Sequence, residues 1–176
     1  MAQTSYSIAP AAAYRGMPYD ISTSVKRTVR VNAGSARPFG TFVIEGGAAN
    51  ALDGDVTVLA DANSKIAGVL HHTHDIRQDP STTALVAGVD VPDLSIVPLM
   101  EKGKIYVLKE AGAVVAGGAV YARHTANGAG KLVIGACRAD ADVDKALLVK
   151  GAKWVKAAAA NDVIGVIEFD VNAALV

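Results

Sequence analysis

Short β-branched runs recur along this chain, separated by Gly, Asn, Asp and Pro. From Ser24 to Val31 the pattern alternates, with Val25, Arg27, Val29 and Val31 on one side and Lys26, Thr28 and Arg30 on the other. A period of two predicts a strand with one apolar face, here interrupted by Arg27. Arg37-Pro38-Phe39-Gly40 turns the chain into Thr41-Phe42-Val43-Ile44, a second strand ended by Gly46-Gly47. Asp53-Gly54-Asp55 and then Asp61-Ala62-Asn63-Ser64 turn it into Val56–Leu59 and Ile66–His71. Residues 77–90, with Pro80 and three hydroxyl residues, read as an exposed loop. Leu94–Met100 reads as a further strand, placed at an edge or bulge by Pro98. From Gly103 to Asp170 short strands recur around Gly112, Gly117-Gly118 and Asn127-Gly128-Ala129-Gly130. The one helical candidate is Trp154–Ala160. The pattern predicts an all-β fold of roughly eight to ten short strands, a small barrel or sandwich of jelly-roll or tulip-like form.

Residues 1–24 have no clean period. Ala, Ser, Pro10, Gly16 and Pro18 are interleaved with Tyr6, Tyr14, Met17 and Tyr19. Such a segment cannot bury enough surface alone, and it reads as a docking arm that orders against a partner or, alternatively, as a frayed terminus. The division expected is an extended arm over 1–24 and a single β-rich domain over 25–176. Tyr6, Tyr14, Arg15, Met17 and Tyr19 are the candidate partner-contact residues.

Composition adds two points. Hydrophobic residues make up 51% of the 176 residues but aromatics only 5%, so the core is built largely from small side chains. Such a core leaves a lone subunit modest in stability, a problem an oligomer relieves. Lys+Arg and Asp+Glu both total 17, which argues against nonspecific nucleic-acid binding. The charge is uneven, however. Residues 1–37 carry Arg15, Lys26, Arg27, Arg30 and Arg37 against Asp20, a net of +4; residues 38–93 carry a net of −6. A basic leader before an acidic middle suits docking against neighbours, and equally a solvated arm. No run approaches the roughly 20 apolar residues of a membrane span. The start Met1-Ala2-Gln3-Thr4-Ser5-Tyr6 lacks a signal peptide's basic and apolar regions, so synthesis in the cytoplasm is expected.

Candidate chemistry is thin. His71-His72-Thr73-His74-Asp75 puts His72 and His74 on one strand face, and His124 could add a third imidazole for zinc. No HExxH or Cys pair accompanies them, so polar strand-end histidines are the better reading. Thr125–Lys131 resembles the end of a phosphate loop, but a strand follows Lys131 where a helix should. Asn127-Gly128 suits a hairpin turn instead. Asp140, Asp142 and Asp144 resemble the start of a calcium loop without its glycine or final glutamate, and read as an acidic surface turn. Cys137 lies among small apolar residues as a buried filler, and Trp154 as a core plug where the last strands close. No enzyme, cofactor or metal site is expected.

Taken in order, several segments resemble the structural cement (head decoration) proteins of tailed bacteriophages. They are Tyr14-Arg15-Gly16-Met17 with Asp20, Arg37-Pro38-Phe39-Gly40 with Val43, and Ala67-Gly68-Val69 with the histidine run. Gly103-Lys104-Ile105-Tyr106-Val107, Gly117–Arg123 with His124-Thr125-Ala126-Asn127-Gly128, and Gly151-Ala152-Lys153-Trp154 with the alanines and the last strand complete the set. The resemblance implies a non-catalytic virion protein on the outer surface of the expanded capsid. It would bind between major capsid protein subunits, stabilise the head, and act as a homodimer or homotrimer, with no nucleic-acid or membrane partner. The alternative is a tail, baseplate or receptor (glycan)-binding β-module, for which residues 77–90 would carry ligand.

Overall fold

The computed structural model describes residues 14–47, 51–72, 90–110, 112–128 and 133–175. Among the described residues eleven strands follow one another: β1 Pro18–Val31, β2 Arg37–Pro38, β3 Phe42–Glu45, β4 Asp55–Thr57, β5 Ile66–Leu70, β6 Asp90–Val91, β7 Ile96–Leu108, β8 Ala119–Arg123, β9 Cys137–Arg138, β10 Ala146–Trp154 and β11 Ile164–Asp170. A 3₁₀ turn, Val171–Leu175, closes the described chain. β2 and β6 form a small separate pair, and the other nine form one sheet.

That sheet curls into two rings that share β7. In the first ring β1 pairs β4, β4 pairs β3, β3 pairs β5, β5 pairs β7, and β7 pairs back to β1. In the second, β7 pairs β11, then β10, β8 and β9 follow in turn. Cys137 of β9 then bridges in parallel to Lys109, just beyond β7, with Glu110 N–H donating to the Cys137 carbonyl at 2.9 Å. Closure leaves few unpaired edges, the usual hazard of small β-proteins. β7 serves both rings because its 13 residues pass from one to the other.

The shared wall explains the sequence pattern. Successive strand residues face opposite sides. Phe42 packs with Met100, Ile105, Val107, Trp154, Ile167 and Phe169. Its neighbour Val43 packs with Val29, Val31, Phe39, Leu70, Val97 and Leu99. Strands β3, β5 and β7 therefore carry apolar side chains on both faces, which is why they read as near-continuous hydrophobic runs rather than as alternation. Burying each such side chain contributes on the order of 1.5–3 kcal/mol.

Several expectations change here. The alternation from Val25 holds at Val29 and Val31, which are buried, but Val25 is 47% exposed and Arg27 pairs with Glu45 and Glu101. Pro98 lies inside the long β7, where β5 runs out at the Leu70–Leu99 pair; its carbonyl accepts from His71 N–H at 3.0 Å. A strand residue points its N and O to the same side, so the absent N–H falls beyond the end of β5. Trp154–Ala160 is not helical: Trp154 ends β10, and Ala158 forms an isolated bridge with Val114. Four alanines are too few to nucleate a helix against a strand already in place. The loop at 77–90 lies outside the described residues except Asp90, which starts β6.

Candidate functional site

The root of the N-terminal segment is built into the body. β1 begins at Pro18 and pairs with β7 through Pro18–Ile105 and Asp20–Lys104, although no period marked these residues. Ahead of it, Gly16 N–H donates to the Tyr106 carbonyl (2.7 Å), His72 N–H to the Gly16 carbonyl (2.8 Å) and Tyr106 N–H to the Met17 carbonyl (2.9 Å). Such a threaded crossing requires glycine. Gly16 has φ +80°, and a Cβ there would come within 2.9 Å of His72 N, the Leu70 carbonyl and Phe39 Cβ. Gly40, at φ +74°, lies against it, with the Gly16 nitrogen and the Tyr106 carbonyl both 2.9 Å from a built Cβ.

The candidate contact residues separate accordingly. Tyr6 lies outside the described residues. Tyr14 stacks on His72, with ring centroids 6.1 Å apart. The Arg15 side chain is 14% exposed and faces Asp90 at 4.0 Å; burial lowers its guanidinium pKa against the opposing pull of Asp90. Met17 is half-buried. Tyr19 faces outward, edge-on to Tyr106 and beneath the Lys156 ammonium, which stands 4.8 Å from its ring. The uneven charge also finds an account within the chain. Arg15 meets Asp90, Arg27 meets Glu45, and Arg30 meets Asp55, so three bases of the leader pair with acids of the middle. Arg30, Asn32 and the Leu52 N–H together hold the Asp55 carboxyl well below the usual carboxylate range.

The histidines do not converge in the described structure. His72 packs between Tyr14 and Phe39, His124 Nδ1 lies 2.9 Å from Thr125 Oγ1, and His74 lies outside the described residues. Among the described residues no group of three or more His, Cys, Asp or Glu could hold a metal ion. His71 is the unusual one. Both of its ring nitrogens are buried without a partner, and burial, with Lys26 and His72 nearby, pushes its pKa down to about 4. Its folded pKa is below the ordinary 6.5, so its contribution to stability is present above pH 6.5 and is lost as pH falls toward 4. Residual solvent screening of this partly buried residue reduces that contribution to about 1–2 kcal/mol. Urea melts at pH 7.5 and 4.5 should show His71→Phe losing less stability on acidification than the parent, by about that amount. Equal losses would remove His71 from the account.

The densest polar cluster went unforeseen. Arg123, fully buried, donates through Nε and Nη2 to the two oxygens of Glu110, the latter at 2.7 Å. The same Nη2 reaches Asp142 Oδ2 at 2.6 Å, and Nη1 donates to the Thr125 carbonyl at 2.8 Å. Arg138, also buried, sets Nη1 2.9 Å from both Glu110 and Asp142 and turns Nε toward Asp140. Asn127 donates to Asp142 at 2.9 Å, and Lys145 to Asn127 at 2.9 Å. Two aspartates of the expected acidic surface turn, Asp140 and Asp142, are thus already paired with guanidinium groups, Asp140 with Arg138 and Asp142 with both Arg123 and Arg138. Beneath the cluster, burial with Glu110 close by pushes the Cys137 thiol pKa well up, which keeps it inert. Trp154 fills the second core, 1% exposed and packed against Gly165.

Fold and site together define an all-β, double-ring module with a buried, internally paired cluster of charged groups. The chain belongs to the phage structural cement protein family: a family profile (E217 gp24/Pam3 gp6) matches residues 2–168. It is therefore a virion structural protein that associates with the capsid. A chain in the solved capsid of Myoviridae phage XM1 is similar in fold, with a TM-score of 0.62 at 16% identity, over 96% of this chain and 98% of that one. No curated protein sequence matches the chain significantly.

Proposed function

We propose that this protein binds the outer surface of the expanded phage head at junctions between major capsid protein subunits, and that it works there without catalysis as a dimer or trimer. The observation that carries this reading is the family match over nearly the whole chain. The physics supports it. A DNA-filled shell is under internal pressure, and each bridging subunit adds contacts that must break before the shell opens. Many copies make modest individual affinities count together.

In this reading residues 1–13, with Tyr6, and the outward Tyr19 touch the coat, while Tyr14, Arg15 and Met17 fix the direction in which the arm leaves the body. The test is co-sedimentation with undecorated expanded heads of the cognate phage, counting bound copies per coat subunit. Saturable binding at a simple ratio, with heads that survive more heat, is expected. Absence of binding would favour a tail or receptor-binding module. Deleting residues 2–13 should weaken binding about tenfold or more while leaving the melting temperature within a few degrees, since the rooting contacts begin at Tyr14. Unchanged binding would remove the arm from the interface.

A further inference from the structure

One turn is built against its own backbone preferences. Among the described residues four that are not glycine have φ in the left-handed region, and three of them are consecutive: Asp142 (45°), Val143 (54°) and Asp144 (59°). L-residues visit that region as single residues, and a β-branched side chain there is a genuine outlier. The turn closes tightly, with the N–H groups of Lys145 and Ala146 both donating to the Ala141 carbonyl at 3.0 Å. It is held from below by Asp142, whose carboxylate sits on Arg123, Arg138 and Asn127. At its apex Val143 is 87% exposed, the most exposed large hydrophobic residue described.

Neither the strain nor the exposed isopropyl group contributes to the fold of the free protein. Glycine or asparagine at the apex would cost less. Strained positions persist where the surroundings over-determine them, and they concentrate at contact and functional sites. Here the surroundings are the buried ion cluster, which supports a small, rigid, apolar projection. Beside the apex, Asp144 is exposed and forms no ion pair among the described residues, and Asp140 keeps a side chain 69% exposed while paired to Arg138. The bases that neighbour the turn, Arg123, Arg138 and Lys145, are committed beneath it.

Building on the capsid-binding reading, we propose that Val143 is a knob that seats in an apolar socket of the major capsid protein, and that the rim of the socket is basic, to complement Asp144 and Asp140. A projection of this size makes a modest contact per copy, which suits a partner that presents the socket many times over a shell.

The test compares Val143→Asn and Asp144→Lys with the parent protein in binding to expanded heads, alongside melting temperature and sedimentation velocity. Asparagine tolerates the left-handed conformation, so Val143→Asn should melt at the parental temperature or slightly above it. It should bind heads about tenfold more weakly, the expected loss for one buried valine side chain. Asp144→Lys should weaken binding and reduce its salt sensitivity. Parental affinity in Val143→Asn would overturn the knob. So would a loss of self-association with head affinity per subunit unchanged, which would assign the turn to a second copy. If the parent itself fails to bind heads, the capsid reading falls and the knob falls with it, whereas normal parental binding with an indifferent variant overturns the knob alone.

Discussion

Arg123→Met should lower the stability of this protein by about 3–5 kcal/mol, and its melting temperature by roughly 10 °C. The guanidinium is fully buried and serves two carboxylates and a backbone carbonyl at once. Removing it leaves Glu110, Asp142 and Asp140 around the single guanidinium of Arg138. A buried carboxylate without its partner has lost water and gained too little in return. Arg123→Lys should recover only part of the loss, because a point charge cannot reproduce a planar fork that meets both oxygens of Glu110 while holding Asp142. Chemical denaturation of the three proteins at neutral pH provides the measurement. A loss below about 1 kcal/mol in the methionine variant would mean that the cluster is open to solvent and is not a buried knot. The variant should also lose head affinity at temperatures where it stays folded, since the turn carrying Val143 rests on Asp142 and Asp142 rests on Arg123.

What could be read from the sequence follows from what the chain encodes locally. Period and turn residues are local, and they located β3, β4, β5, most of β7, β8 and β11, whereas β9 and β10 went unmarked and the strand expected after Lys131 is absent at Val133 and Ile134. The breaks in β7 were apparent rather than real. Lys102 and Gly103 interrupt the apolar pattern where the strand crosses from one core to the other, and a strand shared by two rings has no single buried face to advertise. The first half of β1 was hidden for a related reason. Its attachment is made by backbone groups of Gly16, Met17 and Pro18 against β7, and backbone hydrogen bonds leave no mark on side-chain pattern. Trp154–Ala160 misled through composition, since alanine favours helix but the run is too short to nucleate one.

Charge was legible as a total and opaque as a map. The basic leader and acidic middle suited a docking surface and a solvated arm equally, whereas Arg30 meets Asp55 because β1 and β4 run side by side in the first ring. The buried cluster was harder still. Glu110 stands 13 residues from Arg123 and 28 from Arg138, at the ends of separate strands, and each alone reads as a surface residue. The nearest local hint was the alternation of Asp140, Asp142 and Asp144, which suggested an acidic surface turn without saying that Asp142 faced inward onto Arg123 and Arg138.

The second large effect is expected at Gly135, where the two rings are stitched together. Its N–H donates to the Arg123 carbonyl at 2.8 Å, and its carbonyl accepts from Phe42 N–H at 2.9 Å, so one residue ties the end of β8 to the start of β3. It does so at φ +87°, with a built Cβ pressed into the Phe42 carbonyl oxygen and 3.1 Å from Thr41 Cβ. Gly135→Ala therefore incurs two penalties, about 1–2 kcal/mol for the left-handed backbone and about 1–3 kcal/mol for the crowding. Gly117 supplies the control. It has a similar φ of +77° but open space around a built Cβ, so Gly117→Ala should carry the backbone penalty alone. Urea unfolding of both variants separates the terms. Gly135→Ala should lose more stability by the crowding contribution, and it should loosen the contact between the rings first, seen as faster amide exchange at Phe42 and Gly135. Equal losses in the two variants would mean that the rings are not in close backbone contact there, and that the shared β7 alone joins them.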